Sequence, residues 1–133
     1  MKNCHLRLRI GHRVTSDFTV PLNCELSYRA DDPLTVTVVF DNDAEWPVRW
    51  VLGRDLLAEG MTVRAGEGEV VLWPLPHGDL PASFCLQVGG ARTALFEMPV
   101  GPVAEWLAGT YAMVPSGTEL DGVNWDELVQ LAD

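Results

Sequence analysis

The residues of this chain that could do chemistry begin with a run of oxygen donors, Asp41-Asn42-Asp43-Ala44-Glu45. Oxygen-bearing side chains at alternate positions are typical of the first half of a calcium-binding loop. Such a loop also needs glycine at its sixth position and glutamate at its twelfth, where this chain has Trp46 and Leu52. We therefore interpret the run as an acidic hairpin turn and predict no metal site there.

Three cysteines and three histidines could also bind a metal or act as nucleophiles: Cys4, His5, His12, Cys24, His77 and Cys85. Zinc sites usually combine closely spaced pairs such as C-x-x-C and H-x-x-x-H, and neither spacing occurs in this sequence. Cys24 and Cys85 lie in predicted strands, where a free cysteine is by default a buried packing residue. A nucleophilic Cys–His pair stays open as an alternative, because such partners meet in space and not in sequence.

Enzyme motifs built on glycine are missing from the sequence. It has no G-x-S-x-G, no G-x-x-x-x-G-K and no G-x-G-x-x-G. Gly66-Glu67-Gly68-Glu69 is glycine-rich, but its two glutamates would repel a phosphate, so we interpret it as a turn. We predict no catalytic residue and no cofactor, and hence a protein that is not an enzyme.

The net charge of −10 is unevenly distributed along the 133 residues. Residues 1–66 carry eight basic and nine acidic side chains, whereas residues 67–133 carry one basic and ten acidic side chains. An acidic surface repels phosphate backbones, since nucleic-acid affinity depends on Lys and Arg neutralising them. General nucleic-acid binding is therefore disfavoured.

Length and composition predict one cytoplasmic domain that covers residues 1–133. The chain is long enough to bury a core, and 47% of its residues are hydrophobic. No apolar segment follows the basic N-terminal residues, and no apolar run is long enough to span a bilayer, so we expect no signal peptide and no membrane insertion. An odd number of cysteines fits a reducing compartment better than a disulfide scaffold.

Alternation of apolar and polar residues with period two predicts about eight short strands. The predicted strands are Leu6–Ile10, Cys24–Tyr28, Leu34–Phe40, Val48–Leu52, Met61–Arg64, Glu69–Trp73, Ser83–Val88 and Thr93–Met98. A further short segment, Thr19–Val20, is predicted to end at Pro21.

One short helix is predicted in mid-chain, over Arg54–Glu59, with Gly60 as its C-cap residue. After Pro99 the apolar period changes to that of a helix with Pro102 in its first turn. The apolar stripe of this helix consists of Val103, Trp106, Leu107, Thr110 and Tyr111, and Trp106 is the expected anchor on the sheet. A second C-terminal helix is predicted to begin at Asn124.

Five short motifs resemble those of the SsgA-like proteins of sporulating actinomycetes, in the same order along the chain. They are Asp31-Asp32-Pro33, Arg54-Asp55-Leu56-Leu57 followed by Gly60, Gly66-Glu67-Gly68-Glu69, Trp73-Pro74, and Val114-Pro115-Ser116-Gly117-Thr118-Glu119. The resemblance covers most of the chain and leaves the subtype within the family open.

The resemblance implies an α+β, mostly β fold in which two packed antiparallel sheets, similar to Whirly proteins, combine with the mid-chain helix and a helical C-terminus. It implies a homo-oligomer, a trimer, that acts without catalysis in sporulation-specific cell division. Family members help to position the septum and recruit the tubulin-like protein FtsZ, together with an SsgA-type partner. The likeness to Whirly proteins keeps single-stranded nucleic-acid binding as the alternative, although such sites need basic grooves and stacking aromatic side chains.

Four residues in or beside predicted turns are candidates for partner binding. Trp46 lies in a polar turn, where it either anchors a partner or folds back onto the sheet. Glu67, Glu69 and Asp79 place negative charge in turns, where side chains can reach a partner. We expect an acidic rim of this kind to steer basic surfaces of the division machinery.

Overall fold

Antiparallel β-strands make up most of the protein in the computed structural model. The structure describes residues 2–41, 44–76, 78–79, 82–123 and 126. The order is β1 (Asn3–Thr15), β2 (Phe18–Arg29), β3 (Asp32–Phe40), β4 (Val48–Gly53), α1 (Arg54–Gly60), β5 (Ala65–Glu67), β6 (Val70–Pro74), β7 (Ser83–Val88), β8 (Ala94–Pro99) and α2 (Val100–Met113). The mostly β composition, the mid-chain helix and the helix after Pro99 are confirmed. The second C-terminal helix predicted from Asn124 lies outside the described residues, apart from Asp126.

The strands of the described chain form one antiparallel sheet in the order β4-β3-β2-β1-β8-β7-β6-β5. It consists of two four-stranded halves, joined where residues 11–13 of β1 pair with residues 95–97 of β8. The two packed sheets that the family resemblance implies are not confirmed, because this short pairing makes the two halves one continuous sheet.

The sheet is curled, and its two halves face each other across the core. Phe40 of β3 stacks on Phe96 of β8 with ring centroids 3.9 Å apart. In a flat sheet these strands would be about 14 Å apart, because two strands lie between them and neighbours are about 4.8 Å apart. Val36, Val38 and Phe40 are buried, as the alternation in β3 predicts, whereas Leu34, which the same alternation predicts to face the core, is 47% exposed.

The strand predicted to end at Pro21 instead continues through it as part of β2. Proline lacks the N–H that a central strand donates to its neighbours. Here β2 pairs with β3 only from Cys24 onward, so Pro21 has no β3 residue opposite it. The missing donor therefore breaks no hydrogen bond between β2 and β3.

The strand predicted over Met61–Arg64 is wrong, because these residues continue the end of α1 as a turn. The backbone N–H groups of Thr62 and Val63 both donate to the Glu59 carbonyl, at 3.0 Å. The Thr62 hydroxyl donates to the same carbonyl, at 3.1 Å. A chain whose donors are taken by the preceding helix cannot also pair with β6, and β5 begins only at Ala65.

Both helices pack onto the curled sheet. Leu57 and Gly60 of α1 are buried, and Gly60 lies directly against the Leu72 side chain of β6. Trp106 of α2 is 9% exposed and belongs to the core cluster, which confirms it as a buried anchor of this helix. Gly60 is the last helical residue, and the C-cap is Met61, one residue later than predicted.

The close contact at Gly60 leads to a stability prediction. A Cβ added there would overlap Leu72, so Gly60→Ala should destabilise the fold by about 1–3 kcal/mol, the usual cost of overpacking a core. Gly109→Ala in α2 is the matched control: its added Cβ meets no atom within 4 Å, and the helix should gain up to about 1 kcal/mol. Urea unfolding followed by circular dichroism measures both, and equal stability of the two variants would contradict the packing.

Candidate functional site

A buried charge lies at the start of α1. The Arg54 side chain is 1% exposed, although a guanidinium remains charged at any physiological pH. Its Nη1–H donates to the Thr110 carbonyl at 3.0 Å, and its Nη2–H donates to Glu119 Oε1 at 3.1 Å. Within the described chain the Nε–H has no hydrogen-bond partner. The charge is thus balanced by one carboxylate and the last turn of α2.

Two tyrosine rings flank the same guanidinium. The Arg54 carbon Cζ lies 4.0 Å from the ring centroid of Tyr111 and 5.0 Å from that of Tyr28. Cation–π attraction of this kind strengthens when the cation is removed from water. The rings therefore supply part of the stabilisation that solvent would otherwise give.

The hydroxyl groups of these tyrosines extend the cluster to the Asp31-Asp32-Pro33 motif and to a second residue of the Arg54 motif. Tyr28 donates to the Pro33 carbonyl at 3.0 Å, and Tyr111 donates to Asp55 Oδ1 at 2.6 Å. Burial raises the pKa of the Tyr111 hydroxyl, and the bond to Asp55 raises it further. Tyr111 is therefore a proton donor at neutral pH, and it fixes the orientation of the Asp55 carboxylate.

Glu119 joins the C-terminal motif to Arg54. Its Oε2 accepts a hydrogen bond from the Gly117 N–H at 2.9 Å, while Oε1 faces Arg54. Gly117 has φ +88°, a conformation that favours glycine. The pKa of Glu119 is lowered, first by a hydrogen bond from its own backbone N–H and then by Arg54, whereas desolvation opposes the shift. The carboxylate is therefore held in its charged form.

Most of the other motif residues also support the fold. Leu56 and Leu57 pack on the core, and Pro115 accepts hydrogen bonds from the backbone and hydroxyl of Thr118. Asp31 pairs with Arg29 at 2.7 Å, and Asp32 accepts a hydrogen bond from Thr35. Trp73, which precedes Pro74 at the end of β6, has its ring beneath the Arg64 guanidinium. The structure brings Pro33, Arg54, Asp55, Gly117 and Glu119 together around the buried charge.

The four candidate partner-binding residues are exposed in the structure. Trp46 is 83% exposed, so its side chain faces solvent and does not fold back onto the sheet. Glu67, Glu69 and Asp79 are also exposed. Of these carboxylates, Glu67 lines a cleft together with Asp55.

The structure places Cys24 and Cys85 in the buried interior and Cys4 at a partly buried position. The described residues contain no group of three His, Cys, Asp or Glu side chains that could hold a metal ion. Cys24 and Cys85 are fully buried, as predicted, and burial raises the pKa of Cys24 to about 12. A thiol with such a pKa stays protonated at neutral pH and is not a nucleophile. Asn42, Asp43 and His77 lie outside the described residues.

The fold and this cluster define a mostly β domain in which residues of three motifs hold separate chain segments around one buried arginine. The chain belongs to the SsgA family: a family model described as Streptomyces sporulation and cell division protein, SsgA, matches residues 22–119. The sporulation-specific cell division protein SsgB of Streptomyces coelicolor is 38% identical over 119 residues, which cover 88% of this chain and 84% of that protein.

Two solved structures share the fold. The SsgA-like sporulation-specific cell division protein of Thermobifida fusca YX-ER1 has a TM-score of 0.85 at 28% identity, over 99% of this chain and 96% of that chain. An SsgB structure, described with mutations that correlate to longitudinal cell division during sporulation of Streptomyces coelicolor, has a TM-score of 0.82 at 34% identity. It covers 89% of this chain and 93% of that chain.

The buried ion pair predicts strongly coupled mutations. Arg54→Met should destabilise the fold, because it removes the hydrogen bond to the Thr110 carbonyl and leaves the partly buried Glu119 carboxylate without its partner. Adding Glu119→Gln to Arg54→Met should cost less than the sum of the two single changes, since the second change removes the unpaired charge. Urea unfolding of the four proteins measures the coupling, and strict additivity would contradict the ion pair.

The lowered pKa of Glu119 predicts a stability difference that depends on pH. A carboxylate with a depressed folded-state pKa stabilises the fold above its usual pKa of 4.5 and loses this contribution as pH falls through the folded value. Glu119→Gln should therefore be less stable than the parent protein at pH 7, and the gap should close below pH 4.5. Glu105→Gln, at an exposed position of α2, is the control and should show no such gap. Thermal melting between pH 7 and pH 3 gives both profiles.

Proposed function

We propose that this protein is a non-enzymatic adaptor in sporulation-specific cell division, which helps to position the septum and recruits FtsZ with an SsgA-type partner. Membership of the SsgA family and the relatives named sporulation-specific cell division proteins support this role. The observation that carries the adaptor function is the contrast between two groups of motif residues. Pro33, Arg54, Asp55, Gly117 and Glu119 are engaged with one another around the buried charge, whereas Glu67 and Glu69 are exposed and available for contacts with other proteins.

Assembly and location belong to the same proposal. The protein forms a homotrimer, has a Whirly-like arrangement of its two half-sheets, and acts in the cytoplasm at division septa. The exposed apolar side chains Val14 and Phe18, near the end of the β1–β2 hairpin, offer surface for contact between copies. In the described part of the chain, no helix has the length and hydropathy to cross a membrane.

Single-stranded nucleic-acid binding is the alternative, and the charge distribution argues against it. Only one basic side chain is present in residues 67–133, against ten acidic ones. Micromolar single-stranded binding at physiological salt depends on several phosphate contacts from Lys and Arg. Fluorescence anisotropy with labelled single strands distinguishes this alternative, since measurable binding would favour it over the adaptor role.

The acidic turn between β5 and β6 is the proposed contact for the division machinery. Glu67 and Glu69 flank Gly68 there, and both carboxylates are exposed. Complementary charge governs encounter rate and partner choice more than it governs folding. The turn therefore steers a basic surface of FtsZ or of the SsgA-type partner.

Charge reversal at this turn tests the proposal. Glu67→Lys with Glu69→Lys should shift the unfolding free energy by no more than about 0.5 kcal/mol, the range of surface changes, and should reduce FtsZ recruitment. Glu105→Lys with Asp121→Lys makes the same change of net charge at exposed positions elsewhere and is the control. Fluorescent FtsZ in sporulating hyphae gives the readout. Normal septum placement in the strain with the reversed turn would refute the contact.

A further inference from the structure

A cleft of about 520 Å³ lies where the two outer edges of the curled sheet approach each other. The ends of β3 and β4 and the first turn of α1 form one side, and the β5–β6 turn forms the other. Its lining includes Leu34, Val51, Asp55, Leu56, Glu67 and Gly68. A volume between about 300 and 1,000 Å³ is the usual range of pockets that bind small ligands or side chains.

The walls of the cleft are apolar and open to solvent. Leu34 is 47% exposed and Val51 is 52% exposed, and Leu56 is partly buried beside them. Single exposed apolar side chains are ordinary, whereas several around one concavity mark a binding surface. The cleft therefore offers contact area for an apolar side chain.

Both charged residues of the cleft lining are acidic. Asp55 is held in position by the Tyr111 hydroxyl on Oδ1, and among the described residues its Oδ2 has no further hydrogen bond. Glu67 stands on the opposite side of the cleft, exposed on the β5–β6 turn. Two carboxylates beside apolar walls complement a Lys or Arg side chain that follows or precedes an apolar one.

An extended backbone can also be accommodated beside the cleft. Val51, Leu52 and Gly53 line it and belong to β4, which is the outer strand of the sheet and pairs only with β3 among the described strands. An outer strand has unpaired N–H and C=O groups on one side, to which an extended peptide can add.

We propose that this cleft binds a short extended segment of a partner protein, with an apolar side chain against Leu34 and Val51 and a Lys or Arg between Asp55 and Glu67. The inference names the recognition site of the adaptor and rests on the function proposed above. A second copy of this chain is the less favoured occupant, because each copy carries a net charge of −10 and the cleft attracts basic groups.

Labelled peptides test the cleft directly on the purified full chain. The probes are a panel of fluorescein-labelled six-residue peptides, each with one Leu, Val or Phe next to Lys or Arg, and matched peptides with Glu in place of the basic residues. At least one basic peptide should bind and shift the amide NMR signals of Val51, Gly53, Asp55 or Gly68. Its acidic counterpart should bind at least about tenfold more weakly. Absence of binding across the panel, or shifts confined to other surfaces, overturns the proposal.

Variants with matched controls locate the contact. Val51→Lys and Glu67→Lys should each weaken the best basic peptide at least about tenfold. Val63→Lys is the control for Val51→Lys, because Val63 is 51% exposed and lies outside the cleft lining. Glu105→Lys, on α2, is the control for Glu67→Lys. Equal weakening by the controls overturns the site, and melting curves establish that each variant is folded.

Two further readouts separate the cleft from a self-interface and from the adaptor function. If Val51→Lys lowers the mass of the particle in light scattering and no peptide binds, a second copy occupies the cleft and the proposal fails. If the two cleft variants recruit FtsZ normally in hyphae, the cleft is not the recognition site although the adaptor function stands. If the parent protein recruits no FtsZ, the adaptor function itself fails, whatever the peptides do.

Discussion

The need to stabilise one buried positive charge sets the position of residues from three of the motifs in this protein. Arg54 is 1% exposed, and a guanidinium so far from water must find a carboxylate, carbonyls or aromatic rings. It finds Glu119, the end of α2 and the rings of Tyr28 and Tyr111. These partners come from β2, from the end of α2 and from the 115–119 turn, so this one side chain fixes where α1 lies relative to all three.

Local patterns in the sequence predict most of the strands. They fail where contacts with residues outside the local segment determine the backbone conformation or the strand pairing. The β-branched alternation of residues 34–40 is enough to predict β3, because buried and partly buried residues alternate from Val36 to Phe40. Thr62 and Val63 have the same strand-forming character, yet their donors are taken by the Glu59 carbonyl of α1. The pairing of β1 with β8 joins residues more than eighty positions apart, and no local pattern contains that information. For this reason the sequence alone could not distinguish a single eight-stranded sheet from two separate sheets.

The sequence predicts several residues of the candidate site, but it does not predict which of them contact one another. Resemblance to the family selects Arg54, Asp55, Gly117 and Glu119, and the structure places them together. The resemblance gives no role to Tyr28 or Tyr111. The alternation of a strand contains Tyr28, and the helical period places Tyr111 in an apolar stripe without assigning it a contact. A usable signal was present: an arginine among leucines at the start of a buried helix needs partners. The exposure of Trp46 could not be predicted, because a turn permits either orientation.

The arginine also ties the order of folding to the order of synthesis. Its two hydrogen-bond acceptors, Thr110 and Glu119, lie 56 and 65 residues further along the chain. At about 5–20 residues per second, a ribosome needs several seconds to add them after Arg54 emerges. Through that interval the guanidinium keeps its hydration and α1 cannot settle into its buried position. The N-terminal half-sheet can form from neighbouring hairpins, but the domain closes only when residues 110–119 arrive, so a stalled or truncated chain stays open to chaperones and proteases.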